Sequence, residues 1–345
     1  MKKAMIAMSG GVDSSVAAIL TKNSGYECAG VMMRFSACPK DESADAARIA
    51  ESLGIPFYLL DLSDAFESRV IDKFISDYEN GLTPNPCIEC NKHLKFEELF
   101  LKSRELGYDT LVTGHYARIH YDESRGRYLL KKGLFTPKDQ SYVLYNMTQA
   151  QLSRTLFPLG ELSKEQTRMI AEENGFVNSD KPDSQDICFI PDGDYVSFIK
   201  SRTKKEYPSG NFVDTEGNVL GRHRGIIGYT IGQRRGLGLA LPSPMYVMKK
   251  DVNTNTVILC HPDDLFKRTI FVKDLNWIAF EEPPHSFRAM ARIRYNQKET
   301  PCLVTIEDRD VVRVDFDDPQ RAPTPGQAVV FYDADTVLGG GTLLE

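Results

Sequence analysis

No run of roughly 18 apolar residues occurs anywhere in the 345-residue chain, so no transmembrane helix is expected. The opening MKKAMIAMSGG pairs two lysines with an apolar run, but that run is far shorter than the roughly 7 to 15 residues of a secretory core. It reads instead as a first β-strand, and the protein is expected in the cytoplasm. The cysteines, 7 of them, show no disulfide-framework spacing, which suits a reducing compartment. There is no internal repeat and no low-complexity segment. Net positive charge is also missing: the balance is −6, so the molecule as a whole is no generic polyanion binder.

What is present is an ordinary globular composition, 41% hydrophobic and 26% charged, at a length that suits two or three domains. The first third alternates short apolar runs (AMIAM, ECAGVMM, FYLLDL, TLVTG) with helical patterns, which implies a parallel α/β sheet with ligands at the carboxyl ends of its strands. From Tyr142 to Gly175 the pattern is largely helical. Past Lys200, turn signals crowd together, and from Met245 short β runs dominate, as in a small β module followed by a sandwich or barrel. Domains are therefore expected at 1–202, 203–266 and 267–345. Between Lys200 and Gly236, eight Lys or Arg face three acids, a local excess of five. That patch, with Arg234 and Arg235 at its end, suits either a phosphate backbone or a solvated surface.

Met8-Ser9-Gly10-Gly11-Val12-Asp13-Ser14-Ser15 follows a strand and opens a helix. The glycines permit a tight turn, and the helix-start N–H groups with the hydroxyls of Ser9, Ser14 and Ser15 form an anion cradle. No lysine follows the glycines, so this is not the loop of γ-phosphate transferases. SGGVDSS matches the pyrophosphatase loop of ATP enzymes that cleave between the α and β phosphates, where Asp13 is expected to help hold Mg²⁺. The plainer reading of Asp13 is a first-turn acid favoured by the helix dipole.

Further along stand PNPCIECN (84–91), TGHYAR (113–118), KDQSYVLY (138–145), KPDSQDICFI (181–190), GQRRGLG (232–238) and TPGQAVVFY (324–332). Taken with SGGVDSS, in this order over essentially the whole chain, they resemble the tRNA-specific 2-thiouridylase family, which thiolates the wobble uridine. The resemblance implies a pyrophosphatase-loop (adenine nucleotide alpha-hydrolase-like) domain, a small central domain and a C-terminal β-barrel. It implies ATP-driven adenylation of the uridine C2 oxygen and replacement by sulfur, with tRNA and a sulfur donor such as a cysteine desulfurase or relay protein as partners. Cys188 matches the persulfide carrier, and Cys90 the partner nucleophile that closes a disulfide with it. Ala7 through Ser14, with Met33 and Gly114, would contact ATP, and Asn85, Pro86 and position 87 the target base. His115, Lys138, Asp139, Gln140, Arg294, Tyr295 and Gln327 would meet the tRNA.

The cysteines read unevenly on their own. Asn91 looks like an N-cap, which would place Cys90 at a helix N-terminus beside Lys92 and Lys95 with a lowered pKa. Cys188 sits in an apolar run and by itself reads as buried and structural. Cys28, Cys38, Cys260 and Cys302 read as packing or surface residues. Cys87 stands where many family members carry an aspartate, so it must act as a thiolate of depressed pKa or the chemistry differs. Cys87, Cys90 and Cys188 together could alternatively hold a [4Fe–4S] cluster, whereas structural zinc wants a fourth ligand. Two other functions compete: an amide-forming synthetase on the same loop, which would not need Cys90 or Cys188, and an RNA-binding module, which would leave the loop idle.

Overall fold

The computed structural model describes residues 2–39, 41–176 and 187–344. Strand β1 (Lys3–Ala7) leads through the glycine loop into helix α1 (Val12–Asn23), and β2 (Glu27–Arg34) leads to α2 (Ser43–Ser52). After β3 (Phe57–Asp61), α3 (Ser63–Phe66) passes through a π-helical turn into α4 (Asp72–Glu79). Then α5 (Pro86–Glu89), a π segment (Cys90–Glu98) and α6 (Leu99–Glu105) follow without a break before β4 (Thr110–Val112). A hairpin, β5 (Ala117–Asp122) and β6 (Arg127–Lys132), precedes the two-residue β7 (Thr155–Leu156). The five-stranded sheet has the order β3-β2-β1-β4-β7 and is parallel throughout, as the alternating pattern requires. Its order reverses between β1 and β4, which makes a crevice at their carboxyl ends the natural ligand position.

The stretch Tyr142–Gly175 is less helical than its pattern predicts. Only α7 (Gln149–Leu152) and α8 (Lys164–Glu173) are α-helical there, because PLGEL and short 3₁₀ turns interrupt the period. Helix α9 (Tyr195–Thr203) leads to a four-stranded sheet of β8 (Asn211–Val213), β9 (Val219–Arg222), β10 (Tyr246–Asp251) and β11 (Thr256–Cys260).

The strands of the last third close on themselves. They are β12 (Phe266–Trp277), β13 (Ser286–Arg292), β14 (Thr300–Asp308), β15 (Val311–Arg321), β16 (Ala328–Asp333) and β17 (Thr336–Leu343). Pairing of β12 with both β15 and β17 completes the barrel. The β5–β6 hairpin extends this sheet, since β6 pairs with β17 and the Lys132 N–H donates to the Asp335 carbonyl at 2.7 Å. Arg118 and Lys131 both ion-pair with Asp335. No helix among the described residues is long and apolar enough to cross a membrane.

Candidate functional site

Three strands deliver their following loops to one crevice. The loop after β1 is the glycine turn, where Gly10 takes a φ of +75°. A Cβ there would also stand 2.8 Å from Glu42 Cβ, so the β2–α2 loop lies directly over the turn. The loop after β4 closes the other side. Gly114 packs so tightly on the first turn of α1 that a Cβ would sit 2.9 Å from the Asp13 carbonyl carbon.

The serines divide the work differently from expectation. Ser14 and Ser15 are buried, and their hydroxyls donate to the Gly11 carbonyl at 3.0 and 2.9 Å. The Ser9 N–H in turn donates to Ser14 Oγ at 3.2 Å. Ser14 and Ser15 thus brace the turn from behind, and the exposed Ser9 faces outward with the helix-start N–H groups. Ala7, Met8 and Val12 support the same turn, Met8 through its N–H on the Val31 carbonyl at 2.8 Å.

Asp13 is held from two sides, by Tyr116 Oη at 2.8 Å and by Lys164 Nζ at 2.7 Å, both on its Oδ1. Tyr116 stands inside TGHYAR, but nothing in the sequence marks Lys164, 151 residues away, as its partner. The Lys164 side chain is nearly buried, so its ammonium is a fixed positive charge at the start of α1.

The cysteine-bearing helix starts earlier than its sequence suggests. Asn85, not Asn91, is the N-cap: its Oδ1 accepts the Cys87 N–H at 3.1 Å, and Pro86 takes the first helical position. Asn91 is buried inside the helix and donates through Nδ2 to the Val143 carbonyl at 3.1 Å. Cys90 therefore has no helix N-terminus to lower its pKa. Desolvation pushes its thiol up to about 12, against the opposing pull of Lys95. Cys87 reaches solvent but is walled in by neighbouring chain, and that desolvation raises its thiol too, again against Lys95. The depressed thiolate that would let Cys87 replace an aspartate base is not what its surroundings favour.

Cys188 lies in a turn and is exposed, contrary to its buried appearance in sequence; residues 181–186 of the same motif fall outside the described residues. Its Sγ lies 3.4 Å from that of Cys38, a residue the sequence left without a role. The Cys188 thiol is pushed up by its hydrogen bond with Cys38 and by burial, and the Cys38 thiol is lowered by the same bond. Cys38, Cys90, Met33 and Ile187 pack against one apolar core that runs from Phe66 and Phe74 to Ile199, Phe212 and Val247. Lys95 acts on Cys87, Cys90 and Cys188 alike and places its Nζ 3.4 Å from His115 Nε2.

The residues assigned to tRNA are mostly structural in their visible contacts. His115 is buried. Because an ammonium only donates, Nε2 accepts from Lys95 and Nδ1–H donates to Thr113 Oγ1 at 2.7 Å. Burial and Lys95 hold this imidazole neutral, well below its usual range. Asp139 is buried and accepts the N–H groups of Gly133 and Ser141, both at 3.1 Å. Gln140 accepts the Tyr116 N–H at 3.0 Å, and Lys138 is half-buried. Arg294 donates to the Ala322 carbonyl at 2.7 Å and the Ile231 carbonyl at 3.4 Å, pinning the start of GQRRGLG to the barrel. Gln327 donates to the Thr83 carbonyl at 2.7 Å, so the barrel braces the chain just ahead of Asn85. Tyr295 is exposed and packs edge-on to Tyr142, with its hydroxyl raised first by burial and also by Asp139 and Cys87. Arg202 and Lys205 of the basic patch are paired to Glu67 and Glu79, whereas Arg234 and Arg235 are exposed.

Comparison with known proteins agrees with this architecture. Residues 2–192 match a family model described as the tRNA methyl transferase HUP domain. Residues 196–261 match the tRNA methyl transferase PRC-barrel domain, and 267–343 the aminomethyltransferase beta-barrel domain. The tRNA-specific 2-thiouridylase MnmA of Clostridioides difficile (strain 630) is 48% identical over 353 residues, covering 99% of this chain and 98% of its own. The protein of the same name from Carboxydothermus hydrogenoformans is 49% identical, covering 99% and 97%. That from Acetivibrio thermocellus is 48% identical, covering 99% of both chains. Matched over 99% of its length by relatives that are 48–49% identical, the chain belongs to the tRNA-specific 2-thiouridylase family.

Proposed function

We propose that the chain is a tRNA-uridine 2-sulfurtransferase that uses ATP to thiolate the wobble uridine. The C2 oxygen of uridine is a poor leaving group; adenylation makes it one, and sulfur can then displace AMP. The observations that carry this reading are the SGGVDSS turn after β1 with its Asp13–Lys164 pair, and the contact between Cys38, in the loop after β2, and Cys188. Ser9 through Ser14 would hold the phosphates, with Ala7, Met33 and Gly114 beside the adenosine. Asp13 would hold Mg²⁺, which neutralises the departing pyrophosphate. Asn85, Pro86 and Cys87, on the helix start just ahead of Cys90, would receive a uridine drawn out of the anticodon stack. Cys188 would carry the sulfur as a persulfide delivered by a donor protein. The tRNA substrate places this work in the cytoplasm.

The residues do not fit a [4Fe–4S] cluster. Among the described residues no three His, Cys, Asp or Glu side chains come together as a metal-binding group, and desolvation opposes the thiolates that cluster ligation needs at Cys87 and Cys90.

The test supplies the full chain with ATP, unmodified tRNA and inorganic polysulfide, and measures pyrophosphate and 2-thiouridine. Both should appear with tRNA and both should vanish in Asp13→Ala, while tRNA still binds. Pyrophosphate release that needs ammonia or an amino acid instead would assign the site to amide synthesis. Modification without pyrophosphate would exclude adenylation.

A further inference from the structure

We propose that Cys38 is the thiol that resolves the Cys188 persulfide, expelling its outer sulfur as hydrosulfide and closing a Cys38–Cys188 disulfide. This rests on the reading of Cys188 as sulfur carrier and assigns the following step to a residue that the family motifs do not mark.

Cys38 Sγ stands 3.4 Å from Cys188 Sγ, roughly van der Waals contact between two sulfurs. A thiolate attacking a persulfide must approach the sulfur whose bond to the leaving sulfur will break. Cys38 already faces that atom, the inner Sγ of Cys188. The two thiols come from loops 150 residues apart, so their contact is made by the fold and not by sequence proximity. Cys90, by contrast, is fixed on a continuous helix from Pro86 to Glu105 and packs into the apolar cluster beside them. The loop carrying Cys38 also carries Glu42, which covers the glycine turn.

The step balances without an outside oxidant. Cys38 thiolate forms the Sγ–Sγ bond to Cys188 as the bond between Cys188 Sγ and the outer sulfur breaks. That bond's electron pair leaves on the outer sulfur, which keeps its proton and departs as HS⁻. The outer sulfur is reduced, and Cys38 is oxidised to half of the new disulfide. Hydrosulfide then attacks C2 of the adenylated uridine and AMP leaves. Two electrons from a dithiol reductant reopen the disulfide for the next cycle.

The experiment loads the reduced full-length chain with inorganic polysulfide and removes the excess. It then follows three quantities: sulfur on the Cys188 peptide, free sulfide, and disulfide-linked peptides after alkylation without reductant. In the unsubstituted protein, sulfide should appear together with a Cys38–Cys188 linked peptide. Cys38→Ser should still accept sulfur on Cys188 but release sulfide roughly tenfold more slowly or worse, because a positioned nucleophile is lost. A Cys90–Cys188 linkage in the unsubstituted protein, with normal release from Cys38→Ser, would overturn the assignment while leaving the carrier reading intact. Failure of Cys188 to take up sulfur at all would overturn both, and the loading measurement separates that result from the other. Because the linkage is mapped in the unsubstituted protein, the test does not depend on how well any variant folds.

Discussion

Replacing Gly114 with alanine should damage nucleotide use far more than tRNA binding. The added Cβ would stand 2.9 Å from the Asp13 carbonyl carbon and 3.0 Å from both the Asp13 oxygen and the Ser14 nitrogen. Comfortable heavy-atom contacts lie near 3.5–4.0 Å, so the deficit is about 0.5–1 Å. It falls on the backbone of α1, which cannot swing aside as a flexible side chain would. Overpacking of this kind costs about 1–3 kcal/mol. The displaced turn carries Asp13, whose hydrogen bonds to Tyr116 and Lys164 resist the shift, so some of the movement must pass into the phosphate loop. A misplacement near 1 Å at a reacting centre costs on the order of 100-fold. The assay is tRNA-dependent pyrophosphate release with ATP varied, beside filter binding of tRNA and a thermal melt. The expected result is a kcat/KM for ATP lower by about 100-fold, a lower melting midpoint and undisturbed tRNA affinity. A folded Gly114→Ala protein with ordinary ATP kinetics would refute the claim that this contact sets the loop.

Cysteine labelling should follow the environments and not the motif. With its thiol near 12, Cys90 is thiolate in only about one molecule in 10⁴ at pH 8, so iodoacetamide should modify Cys38 well before Cys90. Equal labelling rates in peptide maps would contradict the burial argument. Lys250 is buried with its pKa pulled down to about 8 by desolvation, against about 10.4 in an unfolded chain. Between those values the unfolded state holds more protons, so stability should rise with pH from about 8 to about 10. Lys250→Met should abolish that rise and stabilise the protein at neutral pH by about 1–3 kcal/mol, measured by denaturant titration at several pH values. Charge reversal at Arg234 and Arg235 should weaken tRNA binding and flatten its dependence on salt. Unchanged affinity would return that patch to ordinary surface.

Sequence reading succeeded where the physics is local. SGGVDSS imposes its own turn because a positive φ at Gly10 and a helix start at Val12 depend on adjacent residues alone. Short β runs with frequent turn signals likewise pointed to the barrel. The helix start before the cysteines was misjudged because Asn85 and Asn91 are both competent caps. What decides between them is Pro86 at the first helical position and the burial of Asn91, and only the first of these is local. The contacts that define the site's chemistry were out of reach. Asp13–Lys164 and Cys38–Cys188 join residues 151 and 150 positions apart, and neither lysine nor cysteine carries any periodic mark of its partner. The β5–β6 hairpin was missed as well, because it interrupts an α/β pattern to pair with strands that lie at the opposite end of the chain.

That hairpin has a consequence for synthesis. The edge offered by β6 is complete once Lys132 has left the ribosome, yet its partner β17 does not begin until Thr336. Over that interval the nascent chain therefore exposes unpaired backbone capable of joining the wrong strand. Arg127, Lys131 and Lys132 give the edge a positive charge that discourages such mispairing until Asp335 arrives to meet Lys131. A stop codon placed just before β17 would leave that edge permanently bare, so such a truncation should cost the cell soluble protein while removing no residue of the candidate crevice.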